Sequence, residues 1–398
     1  MAGSPERSRE LSFLLGCCAP NPARASLELP GVDFDWSWLE AAARWHGVIP
    51  LVARQLARLD GSSNPIRQRI MTHATANALR NQYLASRLID LMREFSQSAI
   101  AALAIKGPML AQIAYGDAGL RMFADLDVLV HQADVPRAAR LLGELGFSPD
   151  NYDEAAFRSD FFHTVEVNFR ARDGDVNLDL HWDLSPGYYP FGPPGDALWD
   201  RATVATFCAT PVLTLAPEDH LLYLVVHASR HGWPVLSQIC DIAHLASRVK
   251  LDWATLRDRA AASGCARMLN LGVILATDLV AAELPTELIA EARADAGLAA
   301  TRLRALFTSA ALPADSPIRS FARSLVGVGS VGGRLRYMFL RGLAPTLIDW
   351  RYCRLPRWLY PAYYLVRPAR IVSSLTRSLW SASKDSSAGE PRREIRKL

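Results

Sequence analysis

The chain has 398 residues, half of them apolar and 21% charged, and a formal net charge of +4. That length leaves room for two or three domains and a sizeable core. A charge so weak over so long a chain gives no argument for a nucleic-acid groove, and the composition is that of an ordinary soluble globular protein.

The N-terminal stretch MAGSPERSRELSFLLGCCAP carries Glu6 and Glu10 before a short apolar segment, which makes a poor secretory signal. No apolar run of about 18 residues appears, so no spanning helix is expected. From Trp36 to Leu59 the apolar spacing is helical, with Pro50 expected to divide it into two helices. A long helix is predicted from Ile66 to Ser98. The character then changes. AIAALAIKG (99–107) reads as a buried strand, PMLAQIAYG (108–116) as a helix and FADLDVLVH (123–131) as a second strand. Asp134 is placed to cap a helix beginning at Val135 and Pro136 and ending at Gly146. HTVEVNFRA (163–171) and VNLDLHWDL (176–184) both alternate as strands, and the RDGDV between them favours a hairpin. SPGYYPFGPPG (185–195) is a loop and a module boundary, although its YYPF could also stack on a base or sugar. From Pro217 the pattern is helical again, through PEDHLLYLVVHASRHG (217–232) and then over about 235–250, 252–264, 266–282 and 285–310. SASKDSSAGEPRREIRKL (381–398) is expected to be disordered.

The six cysteines, Cys17, Cys18, Cys208, Cys240, Cys265 and Cys353, form no CxxC pair. Their scatter fits reduced thiols in a cytoplasmic protein better than a disulfide framework.

Two aspartates in FADLDVLVH carry the first chemical signal. Side chains alternate along a strand, so Asp125 and Asp127 share one face while Leu126, Val128 and Val130 take the other. Two neighbouring carboxylates repel, and burying them requires compensation. A divalent ion that also meets substrate phosphates supplies it, and so do arginines such as Arg121. In VNLDLHWDL, Asp179 and His181 share a face, with Asp183 beyond them. If that strand lies beside the first, Asp179 joins the cluster. Three carboxylates then suit a divalent ion and the activation of an acceptor hydroxyl.

The order KG, Arg, DLDVLV and then DLHW, in residues 104–130 and 176–184, resembles the nucleotidyltransferase superfamily related to DNA polymerase beta. It looks most like a bacterial branch described only as uncharacterised nucleotidyltransferases. A weaker likeness runs through 216–256, so the resemblance spans roughly 40–290. It implies an α+β fold: a small mixed-sheet nucleotidyltransferase core with helical N-terminal and C-terminal modules. The boundaries expected are 1–98, 99–195, 196–310, a basic aromatic region at 311–380 and the tail. It implies Mg2+ or Mn2+ on Asp125, Asp127 and Asp179, with Asp179 nearest the acceptor. Where many members carry Gly-Ser or Gly-Gly, this chain has Lys106–Gly107–Pro108. Gly107 permits close backbone approach, and Pro108 suits a helix start that favours an anion. Lys106 can meet phosphates or pair with Asp125. Arg121 is a second nucleotide contact or a carboxylate clamp. His181 is an acceptor-side group or a satisfied strand histidine.

His220, His227 and His231 fall near one face of the helix beginning at Pro217. They read as a zinc pair at 227 and 231, as cleft-lining groups, or as interface packing. Asp241 faces the same cleft or lies on a helix surface. The region 341–380 is rich in Arg, Trp and Tyr. It reads as a packed last helix, a protein contact or a peripheral membrane segment. The expected activity moves a nucleoside monophosphate from an NTP, ATP foremost, to a small molecule, sugar or peptide, releasing pyrophosphate. The alternative is a catalytically inactive nucleotide-binding scaffold. Phosphoryl transfer or hydrolysis is the third option.

Overall fold

The computed structural model describes residues 7–21, 27, 31, 33–59, 64–150, 152–189, 191, 195–308 and 317–385. Three helices open it: α1 (Arg7–Cys17), α2 (Trp36–Trp45) and α3 (Ile49–Leu56). The division expected from Pro50 is present: the chain breaks after Trp45, and Pro50 stands in the first turn of α3. The long helix α4 (Pro65–Gln97) begins at Asn64, whose side chain accepts from the Ile66 and Arg67 N–H groups.

A five-stranded sheet follows. Its strands are β1 (Ala102–Ala104), β2 (Asp125–Val130), β3 (Phe147–Pro149), β4 (Glu166–Ala171) and β5 (Asn177–His181), in the order β1-β2-β5-β4-β3. Only the central pair β2–β5 is parallel. The short edge strand β3 was not expected. Helices α5 (Gly107–Tyr115), α6 (Val135–Glu144) and α7 (Glu154–Phe157) occupy the connections. Asp134 does not cap α6 with its side chain; it pairs instead with Arg137 at 2.7 Å, one turn on.

Beyond the sheet come α8 (Asp196–Asp200) and a hairpin, β6 (Thr203–Phe207) and β7 (Thr210–Thr214). Cys208 and Ala209 make its turn with φ of +47 and +61. These residues lack the Asn-Gly type of signal by which such turns are recognised, so the hairpin was missed. The predicted helices appear as α9 (Pro217–His231), α10 (Leu236–Arg248), α11 (Trp253–Ala262), α12 (Ala266–Val280) and α13 (Thr286–Thr308). Four more follow: α14 (Pro317–Ser324), α15 (Val331–Leu343), α16 (Leu347–Tyr352) and α17 (Tyr363–Asp385). The expected disordered tail begins at 381, but 381–385 belong to α17; 386–398 lie outside the described residues.

The sheet separates two cores. Behind it, Leu126, Val128 and Val130 pack with Leu178, Leu180, Phe169 and the α4 residues Leu88 and Phe95. The larger core joins helices from both ends of the chain, with Leu39, Leu51 and Leu56 in one cluster with Ile239, Leu271 and Leu275. The sheet face between this core and solvent carries the polar residues. The architecture is the mixed-sheet α+β fold with helical flanks that the sequence implied. Among the described residues, no helix is long and apolar enough to cross a membrane.

Candidate active site

Strand register assembles the site. In the parallel β2–β5 pair, Asp125 lies opposite Asn177, Asp127 opposite Asp179 and Leu129 opposite His181. Neighbouring strands lie about 4.8 Å apart. In the antiparallel β4–β5 pair, Glu166 lies opposite His181 and Asn168 opposite Asp179. One sheet face therefore carries Asp125, Asp127, Asp179, His181, Glu166 and Asn168.

Lys106 reaches this face from the turn between β1 and α5. Its Nζ lies 2.7 Å from Asp127 Oδ1, so its carboxylate partner is Asp127 rather than the expected Asp125. Gly107 makes the turn with φ of +55, and a Cβ there would lie 3.1 Å from the Asp125 carbonyl oxygen. Only glycine lets the start of α5 sit this close to the strand. Pro108 then opens the helix, whose N-terminal N–H groups are oriented to favour an anion.

The charges are strongly coupled. Burial works against the ionised form of Asp127, but Lys106 and His181 outweigh it and hold the carboxyl well below its usual range. Burial also disfavours charge on Lys106, yet Asp127 more than offsets it and keeps the ammonium charged. Asp125 is pushed up by burial and by repulsion from Asp127. Asp179 rises to about 6 by burial and by repulsion from Asp127 and Asp125. It accepts a 2.5 Å hydrogen bond from Asn168 Nδ2. His181 bridges two acids, with Nε2 3.3 Å from Asp127 Oδ1 and Nδ1 3.3 Å from Glu166 Oε2. Burial opposes its protonation, and the bond to Asp127 raises its pKa nonetheless.

Arg121 is engaged elsewhere. Its Nε and Nη2 grip Asp241 of α10 at 2.9 and 3.0 Å, and the Tyr115 hydroxyl donates to the same carboxylate at 2.8 Å. Arg121 and Asp241 thus form a buried clamp between the approach to β2 and the helical core. The site's other wall is α9. Lys106 Nζ lies 5.8 Å from the Tyr223 ring centroid, and the His227 ring lies 5.9 Å from Tyr223 and 4.6 Å from His231. Burial, with added repulsion from nearby cations, holds His227 well below its ordinary pKa and His231 at about 3. Both are neutral. His227 Nδ1 is buried without a hydrogen-bond partner. Among the described residues, no third ligand lies beside them for zinc. Among the described residues, the one group of three able to share an ion is Asp127, Asp179 and His181, whose ligand atoms lie within 4.8 Å of one another.

That donor set fits a hard divalent cation. Burial first, and then repulsion from Asp127, raises Asp125 and Asp179, and a bound cation would relieve both effects. Mg2+ and Mn2+ favour carboxylate oxygen. Asp127 and Asp179, with Asp125 beside them, would hold the ion, and His181 is better suited to orienting Asp127.

Sequence reading missed three residues here. Glu166 and Asn168 were legible once the hairpin was recognised, because the β4 alternation puts them on the polar face. Arg230, in the last turn of α9, was not singled out. No hydrogen bond or salt bridge among the described residues claims it, and its charge acts on Glu166, Tyr223 and His231.

Residues 32–281 match a family described as uncharacterised nucleotidyltransferase. The chain matches no curated protein. Among solved structures, that of the antibiotic-resistance factor ANT(2'')-Ia is similar at 14% identity and a TM-score of 0.33, covering 46% of this chain and 95% of that one.

Proposed function

Since the chain belongs to the uncharacterised nucleotidyltransferase family, we propose that it moves a nucleoside monophosphate from a metal-bound NTP to an acceptor hydroxyl. ATP is the first donor to test, and a small molecule, sugar or peptide is the acceptor class. Pyrophosphate is the leaving group. The observation that carries this reading is the register placing Asp127 opposite Asp179, with Lys106 2.7 Å from Asp127.

The bound ion would neutralise triphosphate charge and polarise the reacting phosphorus. The chain's own groups do the rest. Lys106 and the α5 N-terminus offer positive charge to the phosphates, and Gly107 keeps the backbone close. Arg230 supplies a further cation from α9. Arg121 contributes through Nη1, the arm its clamp leaves open. Asp179, with a pKa near 6, is poised to take the proton of an acceptor hydroxyl near neutral pH. His181 fixes the orientation of Asp127, and Asn168 that of Asp179. His227 and His231 line the cleft as neutral rings. Asp241 holds Arg121 in place.

One observation favours the second reading, a non-catalytic nucleotide-binding scaffold: Lys106 and His181 already compensate Asp127 within the protein. The test incubates the protein with Mg2+, each NTP and a panel of acceptors, and follows both phosphate products. Acceptor-dependent pyrophosphate release supports nucleotidyl transfer. Orthophosphate release points to phosphoryl transfer or hydrolysis. NTP binding with neither product selects the scaffold.

A further inference from the structure

Beyond the family match, the C-terminal region presents a surface unrelated to the site chemistry. Between residues 317 and 374 the chain has ten arginines, no lysine and a single acid, Asp349. Asp349 is fully buried and is taken by Arg367 and Arg370 at 3.0 and 2.6 Å. No carboxylate from this stretch therefore reaches solvent.

The same stretch exposes large apolar groups. On α15, Val331, Leu335, Met338 and Phe339 recur at helical spacing on one face, and they are 70, 62, 45 and 65% exposed. Trp358, directly after the exposed Arg357 and four residues after the exposed Arg354, is 77% exposed, and Leu365 at the start of α17 is 76% exposed. Another part of the region is packed, in line with one of the readings of the sequence. Tyr360 and Tyr363 are buried against Phe161 and Phe162, and Arg367 donates to the Arg341 carbonyl. This packing is tied to the catalytic sheet. The His163 N–H donates to the Pro345 carbonyl at 2.7 Å, and the Leu347 N–H donates to Thr164 Oγ1 at 3.1 Å. Residues 161–164 lead directly into β4, which carries Glu166 and Asn168.

We propose that α15, the 354–358 turn and the start of α17 form a docking face for an anionic lipid surface, holding the enzyme at the membrane without crossing it. Arginine beside exposed Trp, Phe and Leu is the chemistry of an interfacial segment. A nucleic acid would use the arginines but leave the apolar face of α15 in water. A lipid surface takes both, and needs no shape complementarity to apolar groups on separate elements. The absence of a long apolar helix among the described residues fits a peripheral contact.

The test sediments the full chain with vesicles of phosphatidylcholine alone and with added phosphatidylglycerol. The expected result is pelleting with the anionic vesicles at low salt, weakened by added salt. It is lost in Leu335→Asp/Phe339→Asp and reduced in Arg336→Glu/Arg357→Glu, with the unfolding midpoint of both variants unchanged. No pelleting of the wild type on anionic vesicles overturns the proposal. So does pelleting that the Leu335→Asp/Phe339→Asp change leaves intact, or binding to RNA or to an acidic protein with none to lipid. None of these outcomes bears on the nucleotide site, whose binding is read separately.

Discussion

Lys106 and Asp179 sit on opposite sides of one electrostatic balance. Lys106 compensates a buried carboxylate, and removing one partner of such a pair costs about 3–5 kcal/mol. Lys106→Met is expected to lower the melting temperature of the metal-free protein, and Mg2+ is expected to restore part of the loss. An unchanged melting temperature would show that Asp127 is not held by this contact. Asp179 behaves the other way. Its folded-state pKa of about 6 lies above the ordinary 3.8, so the folded state binds its proton more tightly than the unfolded chain. Ionisation therefore opposes folding, fully so above pH 6, and the penalty vanishes below 3.8. At neutral pH, Asp179→Asn is expected to stabilise the metal-free protein by at most about 3 kcal/mol, at roughly 1.4 kcal/mol per pKa unit. The same change should cut nucleotidyl transfer by about a hundredfold or more. Denaturant midpoints and turnover, measured on one preparation, check both halves; destabilisation with activity retained would refute the assignment. The three aspartates were legible because period-two alternation assigns faces without knowledge of the fold. The partner of Lys106 was not, since it depends on the antiparallel β1–β2 register, which spacing alone does not give.

The elements that position the site lie partly outside it. Helix α4 presents polar residues to the chain entering β2: the Asn81 side chain donates to the Ala118 and Arg121 carbonyls, Asn77 to those of Gly119 and Arg121, and Arg80 to that of Phe123. Asn81 is fully buried. Asn81→Ala removes the Asn81 bond to the Ala118 carbonyl and leaves the Arg121 carbonyl with Asn77 as its side-chain donor, which costs about 1–3 kcal/mol. Because that segment leads to Asp125, NTP affinity is expected to fall as well. Calorimetry and nucleotide titration measure the two effects, and a variant matching wild type in both would remove α4 from the account. The helix itself was readable from its apolar recurrence and its lack of interior Gly or Pro. Its polar clamp was not, since Asn and Arg at those positions look like a solvated face. Helix α15 went unread because Gly332, Gly333 and Gly342 interrupt it and several of its apolar residues face outward, whereas α17 was anticipated only as one reading of 341–380, a last helix without bounds.

At the scale of the molecule, the large helical core keeps several histidines neutral. Burial lowers His46 and His244 to about 4, and burial with nearby cations lowers His231 to about 3. His46 Nδ1 accepts from the Leu236 N–H, a bond that protonation would break. The unfolded chain takes up these protons near pH 6.5, before the folded one does. Stability should therefore be full above that value and fall as the pH drops toward 4. Urea midpoints at about pH 7.5 and about pH 5 test this, and equal midpoints would contradict it. The same whole-molecule readout tests the site. Thermal unfolding is followed with Mg2+ and each NTP in turn, for wild type and for Asp125→Asn/Asp127→Asn. A ligand at about 100 times its Kd adds about 2.7 kcal/mol to the folded state. The expected result is a stabilisation by at least one NTP that requires the metal and disappears in the double variant. A stabilisation that survives the double variant or ignores the metal, or none with any NTP, would contradict it.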